Sequence, residues 1–267
     1  MAYQGIIFDV DGTVVRDHTP IPGAAAGLDA VAESGLDRVF LSNNPAAVPE
    51  AYEDRFADAG FAVDAEEVFT AGTVTTDYLA DEHADDDLFV IGEARLKAQF
   101  ETADLSLTTE PDAADVLVAS IDSEFSYETM CDAVVAGEEA SDFVGTDPDM
   151  VYPQDGPDLP GSGSIIHAVE GVTERGVDVI CGKPSELARR TALDYLGVSA
   201  EDCLVVGDRL NTDIRLGTDA GMTTVLTMTG ITDEATLAES AVEPDYVVDS
   251  LGELAGVIDG TAERYDE

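Results

Sequence analysis

Lysine is almost missing from this chain of 267 residues. It occurs only as Lys97 and Lys183, and all basic residues together number 12 against 57 acidic ones. So few cations cannot form the basic stripe that a phosphate backbone requires, which argues against nucleic acid as a partner. No apolar stretch approaches the roughly 20 residues of a membrane span, which argues against a membrane partner. Cysteine is scarce too: Cys131, Cys181 and Cys203 make an odd count without a C-x-x-C pair. Cys181 and Cys203 fall in apolar runs that read as buried strands, so free thiols in a reducing cytoplasm are expected rather than a disulfide framework. His18, His83 and His167 are isolated and no H-E-x-x-H occurs, which removes the usual zinc arrangements. The opening Met1-Ala2-Tyr3-Gln4 has neither a basic flank nor a cleavage pattern, and the expectation is a soluble, cytoplasmic protein.

What the chain has in excess is negative charge, a formal −45. The acids are spread along the whole sequence, and no D-x-D-x-D-G loop followed by Glu marks an acidic calcium buffer. A cytoplasm of molar salt accounts for them better. There the screening length is roughly 3 Å and such a surface tolerates its own repulsion, so the sequence reads as halophilic. Apolar residues make up 45% of the chain, enough for folding despite the charge, and the length suits two compact units.

Short apolar runs alternate with helical stretches. Residues 5–10 and 37–41 read as buried parallel strands, with an Ala-rich helix at 24–33 between them. A second block begins near residue 177, with strands to 181 and at 203–206, 223–227 and 246–248, and helices at 185–196, 212–220 and from 250. The two blocks read as halves of one doubly wound parallel sheet, an α/β Rossmann-like core of residues 1–75 and 179–267. Residues 76–178 alternate strands (88–91, 116–120) with helices (93–102, 127–139) and read as an inserted α/β cap domain.

The strongest local signal is Phe8-Asp9-Val10-Asp11-Gly12-Thr13, two carboxylates one residue apart where a buried strand runs out. Alternation along a strand starts Asp9 and Asp11 on one face, and Gly12 lets the chain turn. Acids then converge at a strand's C-terminal end, where open α/β sheets bind ligands. Alone, Asp-Gly after a strand is a common turn. Three further polar clusters follow apolar runs. Ser42-Asn43-Asn44 offers a hydroxyl and backbone N–H groups ahead of a helix, an anion seat or a helix cap. Lys183 follows Val179-Ile180-Cys181-Gly182 and precedes Pro184, which puts a rare lysine at a strand end. In Gly207-Asp208-Arg209-Leu210-Asn211-Thr212-Asp213, Asp208 stands at a strand end and Asp213 early in the next helix, where it could also serve the helix dipole. Asp208 beside two other acids would be strongly repelled without a cation, and hard oxygen ligands favour magnesium.

These four clusters, in this order, resemble the motifs of the haloacid dehalogenase superfamily of phosphatases. The segments DVDGT, LSNN, GKP and GDRLNTDI are similar to its NagD-like, 4-nitrophenyl phosphatase branch, which carries a large α/β cap between the second and third motifs. The resemblance spans nearly the whole chain. It implies a magnesium-dependent phosphatase acting on a small phosphorylated metabolite: Asp9 attacks phosphorus and forms an aspartyl phosphate, and Asp11 protonates the leaving alkoxide and then activates water. Ser42 and Asn43, with Asn44, Gly12 and Thr13 around them, would hold the phosphate, and Lys183 would steady the nucleophile and the transferred charge. Asp9, Asp208 and the Asp11 backbone carbonyl would hold Mg2+, with Asp213 orienting them from behind. A homodimer through the cap is compatible with the family. One departure stands in Val144-Gly145-Thr146-Asp147-Pro148-Asp149, where the branch has T-N-P-D and this chain has Asp147 for the asparagine. The following Pro160-Gly161-Ser162-Gly163-Ser164 resembles the branch's Gly-rich cap loop.

Other readings are weaker. A receiver-like signalling domain also gathers acids, magnesium and a lysine at a sheet edge, but needs neither a general acid two residues after its phosphoacceptor nor a hundred-residue insertion. Ser162 and Ser164 lack the G-x-S-x-G elbow of an α/β-hydrolase. A catalytically weak, phospho-accepting or binding member of the family and a phosphomutase remain as alternatives.

Overall fold

The computed structural model describes residues 3–152 and 158–265; Met1 and Ala2, half of the opening segment read above for a targeting signal, lie outside the described residues. The chain divides into two compact units. One holds Met1–Ser42, Pro49–Phe69 and Ala188–Glu267, the other Asn43–Val48 and Thr70–Leu187. In chain order the principal strands begin with β1 (Gly5–Phe8), β2 (Asp37–Ser42), β3 (Val68–Thr70), β4 (Asp87–Ile91), β5 (Ser106–Thr108) and β6 (Val116–Ala119). They continue with β7 (Asp142–Gly145), β8 (Val179–Ile180), β9 (Cys203–Gly207), β10 (Thr223–Thr227) and β11 (Tyr246–Val248).

The first unit is built on a six-stranded sheet of order β11-β10-β9-β1-β2-β3. β1 runs parallel to both its neighbours, with Phe8 opposite Phe40 on β2 and Val206 on β9. Every residue of β1 is buried, as a strand covered on both faces must be. Ile7 packs with Val39, Leu41, Val205 and Leu196 on one face. Phe8 turns to the other, its ring stacked 5.6 Å from that of Phe40, which in turn meets Phe56 at 4.7 Å. After β1 the chain passes through helix α1 (Ala24–Ser34) to β2 and then β3 on one side, and β9, β10 and β11 add on the other side. The junction between β1 and β9 is therefore the sheet's switch point, the place where open α/β sheets bind ligands. Helix α2 (Pro49–Asp58) buries Tyr52 and Phe56.

The second unit has its own five-stranded sheet of order β8-β7-β6-β4-β5, parallel throughout. Side chains alternate as the pleat requires: Val116 and Val118 join Leu88, Leu96 and Phe100 on one face, while Leu117 and Ala119 join Phe143, Ile165 and Ile166 on the other.

Three readings from sequence need correction. Val179–Ile180 does not open the second half of the six-stranded sheet but pairs with Val144 and Gly145 at the edge of the five-stranded one. A two-residue apolar run carries no mark of which of two parallel sheets it joins. The segment 160–164, expected as a loop, ends the short strand Leu159–Pro160 and starts the helix Ser162–Thr173. Gly161 and Gly163 are needed there because a methyl at either would overlap the Asp149 or Pro148 carbonyl oxygen. The helix expected from 212 begins at Arg215, after a wide π-type turn over Leu210–Ile214. Cys131 is exposed, Cys181 and Cys203 are buried, and all three are free thiols. No helix among the described residues is long and apolar enough to cross a membrane.

Candidate active site

Asp9 follows the last residue of β1, and its backbone N–H still donates to Val206 on β9, so the strand's register carries it to the sheet edge. The chain then turns back: the N–H groups of Thr13, Val14 and Val15 all reach the Val10 carbonyl, and Gly12 sits at φ 91°, a conformation that favours glycine. The turn brings the Thr13 hydroxyl to Asp9 Oδ2 at 3.0 Å, where it donates to a buried carboxylate.

Asp208 follows β9 and Asp213 lies in the π-type turn behind it. Asp9, Asp208 and Asp213 are all buried, and each offers a carboxylate oxygen within 4.8 Å of the others. Asp208 Oδ2 accepts the Ile231 N–H at 2.6 Å, whereas its buried Oδ1 has no hydrogen-bond partner among the described residues. Burial first, then the charges of Asp9 and Asp213, push the Asp208 carboxyl up to about 8. Three acids so close, with a buried oxygen unsatisfied, call for a cation, and an all-oxygen donor set fits a hard divalent ion. Asp213 Oδ2 accepts the Arg209 N–H at 3.0 Å, and its carboxylate lies where any side chain on Gly207 would be. Asp213 lies within the widened π-type turn, a form that recurs at functional sites.

Asp11 points elsewhere. Its Oδ1 accepts from Arg55 Nη2 at 2.6 Å, and its Oδ2 lies 3.4 Å from the Tyr52 hydroxyl and 3.5 Å from Arg55 Nη1. Tyr52 is fully buried and its hydroxyl is 2.7 Å from Ser42 Oγ at the end of β2. Burial and the Asp11 charge push the tyrosine hydroxyl above its usual range, so it stays a neutral donor and acceptor. Asp9, Asp11, Gly12, Thr13, Ser42, Asp208 and Asp213 thus belong to the first unit.

Asn43, Asn44 and Lys183 belong to the second. There Asn43 and Lys183, both buried, are tied both ways: the Lys183 N–H donates to Asn43 Oδ1 at 2.8 Å and Asn43 Nδ2 donates to the Lys183 carbonyl at 3.1 Å. Gly182 allows this approach, because a Cβ there would come within 2.8 Å of Asn43 Oδ1 and of the Thr146 carbonyl oxygen. Asn44 Oδ1 accepts the Ala46 N–H at 3.0 Å and shapes its own turn.

Residues 6–106 match the family of haloacid dehalogenase-like hydrolases, and residues 180–254 match a HAD-hydrolase-like family. The 5'-nucleotidase YutF of Bacillus subtilis is 30% identical over 94% of this chain and 97% of its own length. The dihydroxyacetone phosphatase of Corynebacterium glutamicum is 29% identical over 92% of this chain and 89% of its own. Among solved structures, a p-nitrophenyl phosphatase from Archaeoglobus fulgidus superposes with a TM-score of 0.89 at 32% identity, covering 96% of this chain and 100% of that one. NagD from Escherichia coli superposes at 0.83 and 27% identity, covering 95% and 98%. The chain belongs to the haloacid dehalogenase-like hydrolases. It is a phosphoric monoester hydrolase with the NagD-type α/β fold that the motif order implied.

Several residues of this hydrolase's acidic site escape a reading of motifs. The loop after β10 closes over Asp208: Thr232 donates its N–H and hydroxyl to the Asp208 carbonyl at 3.2 and 2.6 Å, and Thr229 donates to the Gly12 carbonyl at 2.6 Å. Any side chain on Gly230 would overlap the Asp208 carboxylate. A glycine just past a strand was the available signal. Tyr52 and Arg55 carried no such signal beyond the scarcity of basic residues, 12 against 57 acidic ones.

Proposed function

We infer that this hydrolase removes the phosphoryl group from a small-molecule phosphate monoester, with Asp9 as nucleophile and Mg2+ as cofactor. The observation that carries the reading is the buried Asp9, Asp208 and Asp213 cluster with its unsatisfied Asp208 oxygen, set at the sheet's switch point two residues from a second acid. Asp9 and Asp208 side chains, with the Asp11 backbone carbonyl, would hold the metal, and Asp213 would brace them. When bound, Mg2+ supplies positive charge against the phosphoryl oxygens, which a loose phosphoryl-transfer transition state requires.

An Asp9 carboxylate oxygen attacks phosphorus as the P–O bond to the leaving group breaks. Asp11 gives that oxygen its proton, so an alcohol departs and an aspartyl phosphate remains. Water then attacks phosphorus while Asp11 takes up its proton, and inorganic phosphate leaves with Asp9 restored. The Thr13 hydroxyl holds the nucleophile's second oxygen and limits its rotation. Motif order supports phosphate-binding roles for Ser42, Asn43, Asn44 and Lys183, with Gly12 shaping the turn. The activities named for the relatives direct the substrate search to sugar phosphates, dihydroxyacetone phosphate and nucleoside monophosphates.

The test is phosphate release from 4-nitrophenyl phosphate and that panel in molar KCl, with and without Mg2+, for the wild type and Asp9→Asn. Release should need Mg2+ and fall by at least about 10³-fold in a folded Asp9→Asn protein, as loss of a nucleophile does. Metal-independent release, or an active Asp9→Asn protein, would refute the mechanism, and phosphoryl transfer without net phosphate release would indicate a mutase.

A further inference from the structure

Asp11 is held in a way that proton transfer alone does not explain. Arg55 comes from the last turn of α2 and spends its guanidinium on the Asp11 carboxylate, with Nη2 at 2.6 Å from Oδ1 and Nη1 at 3.5 Å from Oδ2. Its own orientation is set twice over. Nε donates to the Asp17 carbonyl at 2.9 Å, and the guanidinium carbon lies 4.8 Å from the centre of the Tyr52 ring. Tyr52 is fixed in turn by complete burial and by Ser42. The chain from Ser42 through Tyr52 and Arg55 to Asp11 thus runs from the end of β2 to the turn after β1, all within the first unit.

We propose that Arg55, stacked on Tyr52, is a positioning residue that turns the Asp11 carboxyl so that Oδ2 delivers its proton to the leaving group. The inference rests on the reading of Asp11 as general acid. A guanidinium has only donors, so Oδ1, which it holds at 2.6 Å, accepts, and Oδ2, 3.5 Å from Nη1, is the oxygen left to face a leaving group. Among the described residues Oδ2 has two long contacts, to Tyr52 and to Arg55 Nη1, and is the more loosely held of the two oxygens. As the ester P–O bond breaks, the Oδ2 proton passes to the departing oxygen and the carboxylate left behind keeps its Arg55 partner.

Leaving groups discriminate this role from a merely structural one. The 4-nitrophenolate anion departs without a proton, whereas an alkoxide needs one, and kcat/KM reports the steps through leaving-group departure. Arg55→Gln should lower kcat/KM by about 10²-fold for the alkyl phosphate of the panel that the enzyme hydrolyses fastest, and only a few-fold for 4-nitrophenyl phosphate. Arg55→Lys, which keeps a cation, should fall between wild type and Gln. Asp11→Asn provides the reference ratio. Equal losses on both substrates in Arg55→Gln, alongside unequal losses in Asp11→Asn, would overturn the proposal alone; equal losses in Asp11→Asn would overturn the general-acid reading beneath it. If circular dichroism shows Arg55→Gln unfolded, Arg55→Lys carries the comparison, with unequal losses supporting the role and equal losses excluding it.

Discussion

Asp147 is buried where β7 ends, and its oxygens meet the Thr146 hydroxyl at 3.0 Å and the Asp149 N–H at 3.2 Å. Burial, and after it the charge of Asp149, push this carboxyl up to about 7. The folded state therefore holds a proton that the unfolded chain has already released, over the window from about 4 to about 7. Across that window the native state binds more protons, so stability contributed at this site falls as pH rises and levels off above pH 7. Asp147→Asn puts back the amide of the related T-N-P-D segment and removes the titration. It should stabilise the protein by about 1–3 kcal/mol at pH 8, the scale of an imperfectly compensated buried polar group. The gain should shrink towards pH 4. Urea melts at the two pH values check this, and a gain that does not depend on pH would show that the site does not titrate in this way. Sequence reading found the substitution because a motif frames it. It could not find Tyr52 or Arg55, whose relation to Asp11 exists only once α2 folds back beside β1.

The elements that were legible are those whose sequence matches a single burial pattern. β1 and β9 are continuous apolar runs because both faces are covered, and their ends placed Asp9 and Asp208 correctly at the sheet edge. Helix Tyr127–Glu139 has the span read from the sequence, its start marked by Ser126, whose hydroxyl caps the Thr129 N–H. β5, with the sequence Ser106-Leu107-Thr108, is three residues long and only partly covered, and gives too little pattern to read. Residues 212–214 of the π-type turn Leu210–Ile214 were read as the start of a helix; in the folded chain the Asp213 carboxylate from this turn packs against Gly207. Helix Arg215–Ala220 then lies so close to its sheet that a methyl on Gly217 would overlap both Val205 on β9 and Thr224 on β10. Gly217→Ala should cost about 1–3 kcal/mol, the usual penalty for overpacking, in spite of alanine's better helix propensity. Chemical denaturation measures it. A stabilised variant would show that the helix has room to move off the sheet.

At the scale of the molecule the governing number is the net charge of −45 on 267 residues. At low ionic strength that charge repels itself over roughly 10 Å, and at molar salt over roughly 3 Å. The thermal midpoint should therefore climb by several degrees as KCl rises from 0.1 M towards 2 M, most steeply at the low end. Differential scanning calorimetry over that series checks it, and a midpoint that stays level or falls would remove self-repulsion as the dominant salt effect. Composition and spacing by themselves determined the fold class and the order of four polar clusters along a parallel sheet, while the roles of the two carboxylates and the rare lysine followed from the resemblance those clusters carry. Those are local or additive properties: burial writes itself into apolar runs, and charge simply sums. The tertiary structure alone decided that Asp213 reaches the Asp9 and Asp208 pair, that one Asp208 oxygen finds no hydrogen-bond partner among the described residues, that Asp11 is gripped by Arg55, and that Val179–Ile180 joins the five-stranded sheet. Each of these depends on distances between residues far apart in the chain, which packing fixes and no local pattern encodes.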